Sequence, residues 1–307
     1  MRILGREKGK SGDGADQKPL LPVRRPRLGL ALGGGGARGL AHVVVLEAFD
    51  DLGVKPDVIS GTSIGAIYGS AYAAGLSANM IRAHTEEALS QRFDLVRQVL
   101  NARPDPVSWL LKFLPIRPAL LDPVALLNAL LPSGMPGTLQ ALNIPLRIVA
   151  CDFYSQTQVV ITHGDLKQAV AASMTLPVLF APVKVGGRAM VDGGFVNPLP
   201  FDILSDAADL TVAIDVSGGV PPDQNDAPTP PSSLDVLSAS SQILQRSIVR
   251  EKLKSLQPDV LVECPVGEFS VIDFHRWKEV LRAAEPVRDQ VKRQVDRLLR
   301  SETISHD

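Results

Sequence analysis

The chain is poor in aromatic residues, which make up 5% of its 307 positions. Surfaces that bind single-stranded nucleic acid stack bases on aromatic rings, so this composition argues against one. A charge excess of one sign is also missing: 32 Lys and Arg stand against 33 Asp and Glu, a formal net charge of −1. No global field draws the chain to a polyanion, and no nucleic-acid partner is expected. Only two cysteines occur, Cys151 and Cys264, each beside apolar strand-like sequence. They read as buried free thiols in a reducing compartment rather than as a disulfide. Cys and His never recur at metal-ligand spacing, and there is no internal repeat or heptad seam. No apolar run is long enough to span a bilayer. The opening MRILGREKGK holds no apolar core of a secretory signal. The expected location is the cytoplasm, with membrane contact at most peripheral and transient.

What is present is material for a core: hydrophobic residues reach 45% and charged residues only 21%. That suits one large α/β unit, expected over residues 25–300. Residues 1–24 carry more Lys and Arg than acids and no apolar periodicity, so they read as a disordered basic tail with a weak pull toward anionic lipid. Residues 301–307 read as a closing tail. Residues 76–135 are helical in pattern with proline breaks, a region that could form a lid. Within it, 107–116 is apolar and aromatic and is flanked by Arg103 and Arg117. It reads first as core, and otherwise as a lid or interfacial patch. The Gly/Pro-rich stretch at 218–233 reads as a mobile loop.

Order begins with the apolar strand Arg27–Leu32, runs through four glycines into a helix at Leu40–Phe49, and returns as a second strand ending at Ser60. Strand, glycine loop, helix and strand form a βαβ unit, which calls for a parallel sheet with helices on its faces. The second strand runs into Gly61-Thr62-Ser63-Ile64-Gly65, a G-x-S-x-G pattern. In that pattern a serine sits on a sharp strand-to-helix turn, and the flanking glycines relieve crowding. Ser63 would stand at a helix N-terminus, where amides and dipole favour developing negative charge. The alternative is an ordinary turn with Ser63 as the helix cap.

The glycine loop Gly33-Gly34-Gly35-Gly36-Ala37-Arg38-Gly39 also has more than one reading. Gly34, Gly36 and Gly39 match the dinucleotide fingerprint, yet the second strand lacks the acid at its end that would hold a ribose: its acid, Asp57, stands at the start. No Gly-Lys-Ser/Thr follows, so it is not a P-loop. Consecutive glycines expose backbone N–H groups beside the serine turn, which suits an oxyanion hole. Replacing Gly35 or Gly36 by Val is expected to put a Cβ where the substrate oxygen must approach.

Further on, Val183–Val191 patterns as a hairpin with a Gly-Gly turn and delivers Asp192-Gly193-Gly194. A carboxylate there would be partly desolvated and more basic than a free one, or would serve as an Asx-turn at a strand end. The five histidines, His42, His84, His163, His275 and His306, supply no candidate at a strand end facing Ser63.

Taken together, the glycine loop with Arg38, the Gly61–Gly65 turn and Asp192-Gly193-Gly194 resemble the patatin-like phospholipase family in order and spacing. Ala172-Ser173 through Pro177, and Phe180-x-Pro182, resemble another segment of that family. The likeness spans residues 26–216 and is nearest to bacterial members related to the neuropathy-target-esterase branch. It implies a three-layer α/β sandwich with a mostly parallel central sheet. It implies an acyl-ester hydrolase acting on phospholipid or lysophospholipid through a Ser–Asp dyad, without metal or organic cofactor. Carried over, Ser63 is the nucleophile and Asp192 the general base. The amides around Gly34, Gly35, Gly36 and Arg38 form the oxyanion hole, with Gly61, Gly65, Gly193 and Gly194 in support. The competing readings are a nucleotide- or phosphate-binding module built on the glycine loop, and a membrane-docking scaffold of weak activity.

Overall fold

A computed structural model describes residues 25–91, 131–176, 180–218 and 233–304, together with Pro123, Val124 and Leu127. The basic tail 1–24, the segment 107–116 with most of the expected lid region, and the loop at 218–233 apart from its end residues lie outside the described residues.

The chain builds one eight-stranded sheet. Its strands are β1 (Leu28–Leu32), β2 (Val58–Thr62), β3 (Leu146–Asp152), β4 (Thr157–Ile161), β5 (Val183–Val185), β6 (Arg188–Asp192), β7 (Leu210–Asp215) and β8 (Val260–Glu263). Hydrogen bonding follows the order β5-β6-β3-β2-β1-β7-β8, with β4 also on β3. The pairs β1–β2, β1–β7, β2–β3 and β7–β8 are parallel, while β4, β5 and β6 join antiparallel. The parallel strands are largely buried on both sides, apolar toward the main core and mixed on the other face, where Ser60 and Thr62 donate to the Pro200 and Asn197 carbonyls. In β1, Leu28, Leu30 and Leu32 enter the main core. Ala31 enters the smaller one with Phe201, Leu204 and Val249.

The described α-helices of eight residues or more are α1 (Ala41–Leu52), α2 (Ile64–Ala73), α3 (Ala78–Gln91), α4 (Leu166–Ser173), α5 (Ser233–Ser255) and α6 (Trp277–Ile304). A 3₁₀ segment, Gly36–Leu40, precedes α1, so the glycine loop tightens before the helix proper begins. The long helix α1 lies against α6 and α3 on the main-core face. Its buried Glu47 is held by Arg82 Nε at 2.5 Å and by Arg288 at 3.5 Å. The segment 199–208 and α5 cover the opposite face. The result is the expected three-layer α/β sandwich. The closing helix runs to Ile304, past the expected boundary at 300, with Pro286 inside it. Both cysteines are buried free thiols, and burial pushes Cys264 up to about 12.

One register detail positions everything that follows. β2 and β4 both pair with Ile148 and Val149, so they occupy opposite edges of β3. β4 and β6 both pair with Ala150 to Asp152, so they too are opposite. Hence β2 and β6 share one edge of β3, end to end. Thr62, the last residue of β2, faces Val149, and Asp192, the last of β6, faces Ala150.

Candidate active site

That shared edge brings Ser63, the residue after Thr62, against Asp192. Ser63 Oγ donates to Asp192 Oδ2 at 2.8 Å. Ser63 occupies the N-cap position of α2, but its side chain caps nothing. The hydroxyl is committed to the carboxylate, which settles the ordinary-cap alternative. The turn is sharp enough to hold Ser63 at φ 54, ψ −120, a left-handed conformation that costs a non-glycine residue about 1–3 kcal/mol. Gly65 makes the turn fit, because a Cβ there would run into the Leu32 carbonyl oxygen. Gly61 backs onto the Gly65–Ala66 peptide in the same way.

A residue not assigned a role from sequence supports this strained turn. Ser173, at the end of α4, accepts from the Ser63 N–H at 2.8 Å and donates to the Val149 carbonyl at 2.6 Å. It is fully buried. Its only sequence signal is its place in the Ala172-Ser173…Pro177 segment. Ser173→Ala removes both bonds and leaves the Ser63 amide unpaired, a cost of about 1–3 kcal/mol. We expect a lower melting temperature and a kcat reduced about tenfold. Wild-type kcat in a folded variant would make the bond idle.

Asp192 has the geometry of both readings, a desolvated carboxylate and an Asx-turn. Its Oδ1 accepts from Gly194 N at 2.7 Å, as an Asx-turn does, and its Oδ2 takes the serine. Gly193 lets the turn lie against β3, since a Cβ would meet the Val149 carbonyl. Asp192 is buried, and burial lifts its pKa from 3.8 to about 6, against the opposing pull of the Gly194 and Ser63 hydrogen bonds. Two further bonds fix the site, one joining the serine turn to the aspartate loop and one joining Asp192 to the segment after α4. Thr62 Oγ1 donates to the Asn197 carbonyl at 2.8 Å, and Asp192 N donates to Thr175 O at 3.0 Å. Asn197 Nδ2 is in turn bonded to Asp202 at 2.9 Å, and Lys252 reaches Asp202 at 2.5 Å.

The glycine loop corrects part of the oxyanion assignment. Gly34 N already donates to Pro198 O at 2.8 Å, and Arg38 N to Gly35 O at 3.2 Å. Neither amide is free for a substrate. The Arg38 side chain is buried and donates to the carbonyls of Phe269 at 2.5 Å and of Ser217, so it braces neighbouring loops. Burial is the main cause that lowers it to about 10, followed by nearby Arg246. Among the described residues, the amides of Gly35 and Gly36 have no acceptor. Neither does the amide of Ile64, the first residue of α2 and the one after the serine. Sequence reasoning missed Ile64, although the N-terminal amides of any helix lack partners within it. The expected Gly→Val effect also needs correction. A Cβ on Gly35 would meet Val216 Cγ2 at 2.9 Å, and one on Gly36 the Val271 carbonyl, so neither would point at the substrate.

No histidine among the described residues bonds Ser63 or Asp192. His42 is fully buried, and its Nε2 lies 2.8 Å from the Gly33 carbonyl. A carbonyl only accepts, so Nε2 carries a proton, and burial favours the neutral ring. Burial holds its pKa down at about 4. His163 and His275 are exposed, His84 lies partly buried on α3, and His306 lies outside the described residues. Asp57 sits at the far end of β2, held by Arg25 at 2.7 Å and by the Leu28 amide at 2.8 Å. It is therefore remote from any group bound at the glycine loop. Among the described residues no three His, Cys, Asp or Glu side chains converge as a metal site would require. No described helix is long and apolar enough to cross a membrane.

The chain is 34% identical over 194 residues to an uncharacterized NTE family protein of Mycobacterium tuberculosis, covering 63% of this chain and 50% of that one. It is 28% identical over 278 residues to human patatin-like phospholipase domain-containing protein 6, covering 82% of this chain and 19% of that one. The match thus spans half the length of the Mycobacterium tuberculosis protein and of a Mycobacterium bovis relative equally similar to this chain. Among solved structures, VipD from Legionella pneumophila superposes with a TM-score of 0.46 at 16% identity, over 87% of this chain and 66% of that one. A family model described as Patatin-like phospholipase matches residues 30–205. That match takes in more than half of the chain, including the glycine loop, the serine turn and Asp192, and the chain belongs to the patatin-like phospholipase family.

Proposed function

We propose that the protein is a serine acyl-ester hydrolase that cleaves phospholipid or lysophospholipid acyl esters through a Ser63–Asp192 dyad. The observation that carries the reading is the 2.8 Å bond from Ser63 Oγ to a buried carboxylate lifted to about 6. A base works best with a pKa near the operating pH, and an ordinary aspartate is too weak for a serine hydroxyl.

Ser63 Oγ attacks the ester carbonyl carbon as its proton passes to Asp192 Oδ2. The carbonyl oxygen becomes an oxyanion, for which the amides of Gly35, Gly36 and Ile64 are the free donors. The C–O bond to the leaving alcohol breaks, and that oxygen takes the proton from Asp192. Water then gives a proton to Asp192 and attacks the acyl-serine. The second oxyanion collapses to fatty acid, Ser63 recovers its proton, and the site is reset. Each half-reaction uses the carboxylate once as base and once as acid, so no second titrating group is required.

A fluorophosphonate probe tests this. Wild type should be labelled at Ser63 and should release fatty acid from phospholipid. Ser63→Ala should do neither while unfolding at the same temperature. Tight NAD or ATP binding by a chain that takes no label would return the glycine loop to a nucleotide role.

A further inference from the structure

Two hairpin tips project from the sheet end that carries the dyad. The β3–β4 turn begins with Phe153 and Tyr154, and the β5–β6 turn is Gly186-Gly187. They lie side by side: Phe153 N donates to Ala189 O at 2.9 Å, and Arg188 Nε approaches Asp152 at 3.8 Å. Arg188 precedes Asp192 by four residues along β6, so the tips stand about 13 Å beyond the carboxylate.

Their chemistry is unusual for a solvated turn. Phe153 is 55% exposed and Tyr154 82%, and the rings meet edge to face 5.2 Å apart. No element among the described residues covers them. Lys184 is exposed and has no acidic partner among the described residues, and Arg188 is largely exposed. Residues 153–158 and 183–189 contain no acid. The same end receives α5. Arg246 donates to Ser217 O, just past the end of β7, at 2.9 Å, while Asp259 holds Thr211 N at the start of β7. Thus α5 runs away from the dyad end, and its residues before Arg246 extend toward or past that end. Among them Ile243 and Leu244 are both about three-fifths exposed.

We propose that these hairpin tips, with the Ile243–Leu244 face of α5, seat the dyad end on the surface of an anionic phospholipid bilayer. This inference rests on the lipid-ester reading of the Ser63–Asp192 site. Exposed aromatic rings partition into the headgroup region, and exposed cations, Lys184 without an acidic partner and Arg188 beside the buried Asp152, are drawn to anionic headgroups. An apolar protein partner would satisfy the rings but leaves the exposed Lys184 and Arg188 beside them unexplained. A lipid surface matches both and supplies substrate at the dyad.

The test measures partition of the full chain, carrying Ser63→Ala, onto phosphatidylcholine vesicles with and without phosphatidylglycerol. Separately, active protein is assayed on vesicles and on a soluble short-chain p-nitrophenyl ester. Phe153→Ser/Tyr154→Ser should weaken partition onto mixed vesicles at least tenfold. Lys184→Ser/Arg188→Ser should weaken it roughly fivefold per charge, and only where phosphatidylglycerol is present. Vesicle hydrolysis should fall in parallel, while turnover of the soluble ester stays within about twofold. Unchanged partition in both pairs would overturn the proposal. So would loss of self-association, rather than of vesicle binding, in the aromatic pair. If the active chain hydrolyses no ester, the enzymatic reading fails on its own, because partition is measured on the inactive protein.

Discussion

Asp192→Asn is expected to lose about 10⁴ in kcat and, above pH 7, to be more stable than wild type. Asparagine keeps the geometry: its Oδ1 can accept from Gly194 N, and its Nδ2 can donate to Ser63 Oγ. What it cannot do is take the proton. General-base catalysis contributes about 10²–10⁴, and as the only base at Ser63 Asp192 should stand at the upper end. The stability sign follows from the raised pKa. Between the ordinary value of 3.8 and about 6, the folded chain keeps a proton that the unfolded chain releases. Stability contributed by the protonated carboxyl is therefore full below about pH 4 and lost as pH rises through 6. Two units correspond to about 3 kcal/mol. Asparagine removes this penalty, so the variant should gain about 2–3 kcal/mol in denaturant unfolding at pH 8 and nothing at pH 4. Equal stability at both pH values would mean the carboxylate is better solvated than its burial implies.

The same pKa places an ascending limb in the kcat/KM profile near pH 6. It lies close to where a histidine ordinarily titrates, so substitution has to identify the group that owns it. The limb belongs to a carboxyl, so it should shift little with temperature, since carboxyl ionisation has a small enthalpy. His42→Ala should leave it in place. That variant still loses the bond to Gly33 O. A modest drop in kcat with an unmoved limb therefore marks loop support, whereas loss of the limb would restore a histidine base.

Much of this site is legible in the residues alone, for physical reasons. A serine between glycines after an apolar run has few conformations that suit it other than a strand-to-helix turn, and the hairpin that carries Asp192 announces itself through Gly186-Gly187. Periodicity shows that β6 is a strand but not which edge it joins. Only the shared edge of β3 reveals that Thr62 and Asp192 face adjacent residues. Backbone amides carry no residue label either. Gly34 and Gly36 look equivalent in a run of four glycines, yet one amide is bonded to Pro198 and the other is free. Ser173 was hidden for a related reason: a buried serine on a helix end gives no periodic signal, and its partner lies 110 residues away.

That difference between neighbouring glycines yields a large and opposed pair of effects. At Gly34 a new Cβ would sit 3.4 Å from Thr62 Cγ2, an ordinary contact, and its amide is already spent. Gly34→Ala should fold normally and keep kcat within about tenfold. Gly36 has φ +56, a left-handed backbone, and its Cβ would run into the Val271 carbonyl. An L-residue there costs about 1–2 kcal/mol before the collision is counted. To relieve it, the loop must turn and carry its amide away from the substrate. Loss of one oxyanion donor costs about 10²–10³ in kcat, so Gly36→Ala should fall at least that far and melt lower. Packing damage and donor loss are separated by nuclear magnetic resonance of wild type. On phosphonylation of Ser63, the amide protons of Gly35, Gly36 and Ile64 should move downfield as they take up the phosphonyl oxygen, and that of Gly34 should not. If Gly34→Ala loses as much activity as Gly36→Ala, or its amide shifts with the others, the hole lies elsewhere in the loop.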